Sequence, residues 1–245
     1  MYTEFTDKAW ARIGQLLKNN THVKSLNISQ CELESGLESL MVGGLLERET
    51  PLTSLCITGN QQVFYYEGCK VLAKYLQKNK KIEDLDLDES DVTPDELRLI
   101  MPALDGSQIK DLNFSRGMLQ DDSIYKQAAH NSGITPSWNG VLKIFEEIHL
   151  PELTHIMFDH CQGGGDLCKA IAHLLKKKDS KLTHVDLRSN YLYGTCLDIL
   201  KDALKDNTTL KHLDLSYNED IEDWVGEWIT ELRETNSPLQ VKYDL

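Results

Sequence analysis

Seven times along the chain one spacing returns: an apolar residue, two others, an apolar residue, one other, an apolar residue. The fullest copies are Leu182-x-x-Val185-x-Leu187-x-x-Asn190-x-Leu192 and Leu210-x-x-Leu213-x-Leu215-x-x-Asn218. Others begin at Val23, Leu52, Ile82, Ile109 and Leu153, and most close on Asn, Cys or Ser three positions after the last apolar residue. The alternation inside each copy predicts a short strand with one face buried. Successive copies start 29, 30, 27, 44, 29 and 28 residues apart, so the unit is 28 or 29 residues long and the fourth is lengthened.

Between the strand phrases the apolar spacing changes to three and four, the period of a helix. Residues 34–48, 65–79, 93–105, 138–148, 165–179, 193–207 and 221–235 carry it. Thr93-Pro94-Asp95-Glu96 has Thr as a cap and Pro at the first helical position, a good helix start. A unit of one strand and one helix has too little apolar surface to fold alone and must stack on its neighbours. The expectation is therefore a single α/β solenoid over residues 1–245, with parallel strands side by side and helices outside. A capping helix is expected within residues 1–20, where Trp10, Ile13, Leu16 and Leu17 share a helical face. Residues 236–245 alternate as a terminal strand with no helix after it. The polar stretch at about 120–137, containing Tyr125 and His130, is either a surface loop or an arm leaning over the sheet edge. Trp224 and Trp228, at helical spacing in the last helix, are expected in the core.

The 28–29-residue period, the L-x-x-L-x-L-x-x-N/C-x-L phrase and a full helix per unit resemble leucine-rich repeats of the ribonuclease-inhibitor class. The departures are Ser90 and Gly117 at the Asn position and the lengthened fourth unit. The resemblance implies strands lining a concave face, Asn or Cys side chains satisfying turn backbone, and protein binding as the usual role. Lys18-Asn19-Asn20-Thr21-His22-Val23-Lys24 is similar to helix-to-strand junctions in tropomodulin-like actin-capping proteins, and bacterial effectors also use such short arrays. Those are the alternative readings.

Composition narrows the partner. The net charge is -13, with 40% hydrophobic and 27% charged residues. So acidic a surface repels nucleic-acid phosphates and anionic lipid, and favours a basic protein or segment. No apolar run approaches the roughly 20 residues that cross a bilayer. The start, Met1 to Asp7, has no signal-peptide pattern, so a cytoplasmic monomer is expected, or the cytoplasm of a host cell if the protein is a secreted effector. Cys69, Cys168 and Cys196 fall at one phase of the helical pattern, as small core residues, while Cys31 and Cys161 fill the turn position taken elsewhere by Asn. That usage fits a reducing compartment.

Strand side chains alternate, so the residues between the apolar positions should share the open, concave side. In the third unit these are Asp84, Asp86 and Asp88, followed by Asp111 in the fourth. The last three units offer His155 with Asp159, then His184 with Asp186 and Arg188, then His212 with Asp214. The aspartates either keep an exposed sheet soluble or dock a Lys/Arg-rich segment. Parallel strands lie ~4.8 Å apart, which would let the three histidines share a divalent metal or simply stand solvated. No phosphate-binding loop occurs: Gly163-Gly164-Gly165 lacks the following Lys-Ser/Thr. With no second domain and only a shallow sheet to exclude water, an enzyme is not expected, and no cofactor is implied.

Overall fold

Eight three-residue strands form one sheet in the computed structural model, which describes residues 6–33, 35–60, 63–64, 67–117, 138–234 and 239–244. In chain order they are β1 (Ser25–Asn27), β2 (Ser54–Cys56), β3 (Asp84–Asp86), β4 (Asp111–Asn113), β5 (His155–Met157), β6 (His184–Asp186), β7 (His212–Asp214) and β8 (Gln240–Lys242). Every neighbouring pair is parallel, and the spatial order equals the chain order. The helices among the described residues are α1 (Asp7–Lys18), α2 (Gly36–Gly43), α3 (Gly68–Lys78), α4 (Pro94–Ala103), α5 (Asn139–Glu147), α6 (Gly164–Lys176), α7 (Gly194–Leu204) and α8 (Glu222–Glu234). The fold is the expected α/β solenoid. The insertion at about 120–137, the chain ends at residues 1–5 and 245, and residues 235–238 lie outside the described residues.

The repeated phrase explains both the register and the core. Its middle apolar residue stands at the centre of each strand, so Leu55, Leu85, Leu112, Ile156, Val185 and Leu213 face inward in one line and are buried. Behind them the helices contribute their apolar stripe; α6 alone buries Leu167, Cys168, Ile171, Leu174 and Leu175. Fully burying one such side chain is worth roughly 1.5–3 kcal/mol, and each is shared between adjacent units, so the stack is stable only as a stack. In the fourth and fifth units the last apolar position is Phe instead of Leu or Ile. Phe114 and Phe158 stack at 5.4 Å, with Trp138 edge-on to Phe158 at 5.8 Å, filling the core beside the lengthened unit.

The turn after each strand is held by its Asn. Asn190 Nδ2 donates to the carbonyls of Phe158 and Arg188, while its Oδ1 accepts from the amides of Cys161 and Gly163. Asn60 and Asn218 make the same bridges between their own turn and the preceding unit. Ser90 and Cys161, at the same position, supply only the donor half, to Ile57 and Phe114 carbonyls. Burial pushes the Cys161 thiol up, so it is an inert donor and not a nucleophile. The residue before this position is left-handed in unit after unit: Gln30, Gly59, Glu89, Arg116, His160, Ser189 and Tyr217, with φ from 51° to 70°.

At the N-terminus Thr6 caps α1, accepting from the Ala9 amide. Trp10 and Gly14 are its buried positions, whereas Leu16, expected on the inner face, is 76% exposed. The reason is close backbone packing. Gly14 of α1 lies against Gly43 and Gly44, where a methyl on any of the three would run into the facing backbone. Helix α1 thus docks through glycine, which turns Leu16 outward. The same contact ends α2 at Gly43, and the predicted 34–48 helix finishes as a 3-10 turn at Leu45–Glu47. Of the two tryptophans in α8, Trp228 is in the core and donates to the Leu197 carbonyl at 2.7 Å. Trp224 corrects the expectation, at 59% exposed, because it lies at the flank of the buried stripe of Val225, Trp228, Ile229 and Leu232, beyond Trp228.

Candidate functional site

Each strand from β2 to β6 shows a buried centre flanked by two half-exposed residues, so the flanking side chains form two columns across the concave face. The first column runs from Ser25 and Ser54 through Asp84 and Asp111 to His155, His184 and His212. Asp86, Asp186 and Asp214 belong to the second. Register therefore gathers the predicted residues on one surface, and three electrostatic zones follow from it.

The central zone is Asp84, Asp86 and Asp111. Asp84 and Asp111 are direct register partners, and Asp84 accepts from Ser54 Oγ at 2.9 Å. Burial, then the Asp111 and Asp86 charges, push the Asp84 carboxyl up from its usual range, while the Ser54 bond acts the other way. Among the described residues no Lys or Arg pairs with any of the three. Asp88 lies two residues past the strand and differs: Arg116 Nε meets it at 2.9 Å, and the guanidinium also reaches Glu89 at 2.6 Å. The Asp88 side chain is only 13% exposed. Arg116 was not singled out in the sequence, although its phase, one step past the concave position of the next unit, places it beside Asp88.

The histidines form a continuous stack. Ring centroids are 4.2 Å apart between His155 and His184 and 4.3 Å between His184 and His212, with interplanar angles of 24° and 22°. Stacked rings point their in-plane nitrogens side by side instead of toward a common centre. Nδ1 of His155 meets Thr154 Oγ1 at 2.9 Å and Asp111 Oδ1 at 2.7 Å, and Nδ1 of His184 meets Thr183 Oγ1 at 2.8 Å. Among the described residues no group of three or more His, Cys, Asp or Glu side chains is arranged to hold a metal. Burial, then the neighbouring His155 and His212, hold the His184 pKa below the ordinary imidazole value.

The third zone is neutralised internally. Arg188 bonds Asp186 through Nε and Nη2 at 2.9 and 2.7 Å and lies 3.5 Å from Asp159 and 3.8 Å from Asp214. Those carboxylates hold the guanidinium firmly protonated. Lys242 approaches Asp214 from β8 at 3.4 Å. Between the histidines and Lys242 the sheet forms an open hollow of about 560 Å³, floored by strands β5 to β8 themselves. It is a shallow depression along four strands, without the enclosing walls that water exclusion requires.

Residues 19–41 and 206–223 match the leucine-rich repeat family model, one stretch at each end of the solenoid. No curated protein matches the chain significantly. Among solved structures, a chain of the yeast Rad7 and Elc1 complex superposes on 94% of this chain at 14% identity with a TM-score of 0.55. The chain spans 58% of that one, and the likeness is one of fold. The tropomodulin C-terminal domain of Caenorhabditis elegans aligns with 82% of this chain and 92% of its own length, at 12% identity and a TM-score of 0.45, too loose to bear on function. The in-phase phrases, the uninterrupted parallel sheet and the matched repeats at both ends together give the chain the fold of a leucine-rich repeat solenoid.

Proposed function

We infer that this is a non-catalytic protein-interaction module of the ribonuclease-inhibitor-like kind, a single domain over residues 1–245 that binds a basic protein or segment across its concave face. The observation that carries the reading is the trio Asp84, Asp86 and Asp111 at the middle of the sheet, which among the described residues has no Lys or Arg partner and only His155 beside Asp111, flanked by carboxylates already paired to Arg116 and Arg188. A protein that needed only solubility would gain nothing by leaving the half-buried Asp84 beside two acidic neighbours while it pairs the outlying carboxylates with arginine. Lys or Arg side chains of a partner would relieve that repulsion on docking. Asp88, Asp159, Asp186 and Asp214 then act as a fixed rim, their geometry held by arginine, with the histidine stack and Arg188 as further contacts. Preorganised side chains lose little entropy on docking, which suits a rigid solenoid to this task.

The test is capture of partners on the immobilised protein, wild type beside an Asp84→Asn/Asp86→Asn/Asp111→Asn variant. A basic protein retained by the first and released by the second supports the reading. Equal retention by both would remove the concave acids from the interface.

A further inference from the structure

Five aromatic side chains are strongly exposed among the described residues, and all fall near the C-terminal end of the solenoid: Tyr191, Tyr193, Tyr217, Trp224 and Tyr243. The exposed large apolar residues before them, Leu16, Val42 and Leu99, are aliphatic and lie on three different helices. Trp224 is the one exposed tryptophan of the four in the chain, since Trp10, Trp138 and Trp228 are buried. Its indole lies over the start of α7, about 3.6 Å from where a methyl on Gly194 would be, so the absence of a side chain there opens a groove. That groove between α7 and α8, about 420 Å³, is lined by Leu197 and Trp228 beneath, Trp224 at one wall, and Asp198 and Glu227 at the rim. Glu231 also lines it but is bound to Lys201. Asp198 and Glu227 have no ion-pair partner among the described residues.

We propose that this groove receives an arginine or lysine side chain from a partner protein, held between the Trp224 ring face and the Asp198 and Glu227 carboxylates. The chemistry is complementary in two ways. An indole is the best aromatic surface for a cation, and the attraction grows when water is partly excluded, as over the Leu197 and Trp228 floor. The free carboxylates supply the opposite charge, and a neutral or acidic side chain would leave them unpaired. The site opens beside the helices, away from the concave columns, so it is a second point of attachment and does not depend on Asp84, Asp86 or Asp111.

Octa-arginine titrated into the full chain, with octa-serine as control, tests this through Trp224 emission. Octa-arginine should quench or shift that emission, and octa-serine should not. In an Asp198→Asn/Glu227→Gln variant the midpoint should rise at least about fivefold, while Asp84→Asn/Asp86→Asn should move it less than about twofold. A Trp224→Phe variant, exposed and conservative, should keep the wild-type melting curve and lose the spectral response. An unchanged emission, or equal midpoints in the rim variant and wild type, would overturn the proposal. Concentration-dependent quenching without peptide, accompanied by dimerisation, would make the occupant a second copy of the chain and overturn it as well.

Discussion

At the scale of single residues, the turn asparagines and the central histidine lead to the firmest expectations. Asn190 satisfies four backbone groups of two successive turns at once. Asn190→Ala would orphan buried donors and acceptors, each costing about 1–3 kcal/mol, so denaturant unfolding should show a loss of about 3 kcal/mol or more. A loss below about 1 kcal/mol would mean that water replaces the side chain freely. His184 acts through pH. Its folded pKa is depressed, so the unfolded chain takes up the proton first as pH falls below the ordinary value near 6.5. The stability of the neutral stack is therefore intact above that value and drains away below it. Thermal melts between about pH 7 and pH 5 should fall more steeply for wild type than for His184→Asn; parallel slopes would contradict the assignment. These residue roles were partly legible beforehand. Period alone marked Asn190 and the His column, but which carboxylates Arg116 and Arg188 would neutralise depends on side-chain reach across strands.

Elements were the most legible level, and their errors share a cause. Apolar spacing located every described helix and the first seven strand phrases, because burial of one face per element is what that spacing encodes. It misplaced Leu16 and Trp224, whose apolar side chains stand largely exposed at the margins of their helices' buried faces. Spacing counts hydrophobic residues but cannot weigh glycine, and at α1 the glycines decide the docking. Gly44→Ala would drive a methyl into the Gly14 carbonyl, where neighbouring backbone has no room to yield. We expect it to destabilise by about 1–3 kcal/mol, as overpacking does, and to loosen α1 first in hydrogen exchange. Gly226→Ala is the matched control: nothing lies within 4 Å of the added methyl on α8. That change should stabilise by roughly 0.5–1 kcal/mol through helix propensity. Equal effects of the two substitutions would refute the close glycine contact.

For the whole molecule, the stacking of units converts a sequence period into a surface. One strand carries two outward side chains and means little, but eight in register bring Asp84 beside Asp111 and His155 beside His184. The net charge of -13 is thus not evenly felt: concave carboxylates on either side are paired to arginine, and those in the middle have no Lys or Arg partner among the described residues. Since the Asp84 carboxyl is held above its usual range by burial and by its acidic neighbours, Asp84→Asn should raise the melting temperature at neutral pH while it weakens binding. Loss of both together would indicate a structural role instead.

The most direct measurement is the salt dependence of association between the whole chain and its captured basic partner, followed from about 50 to 200 mM salt. If the open carboxylates at the sheet centre steer that partner, the wild-type rate constant falls steeply with salt, and the Asp84→Asn/Asp86→Asn/Asp111→Asn variant starts lower and falls less. Superimposable salt curves for the two proteins would show that the partner docks elsewhere.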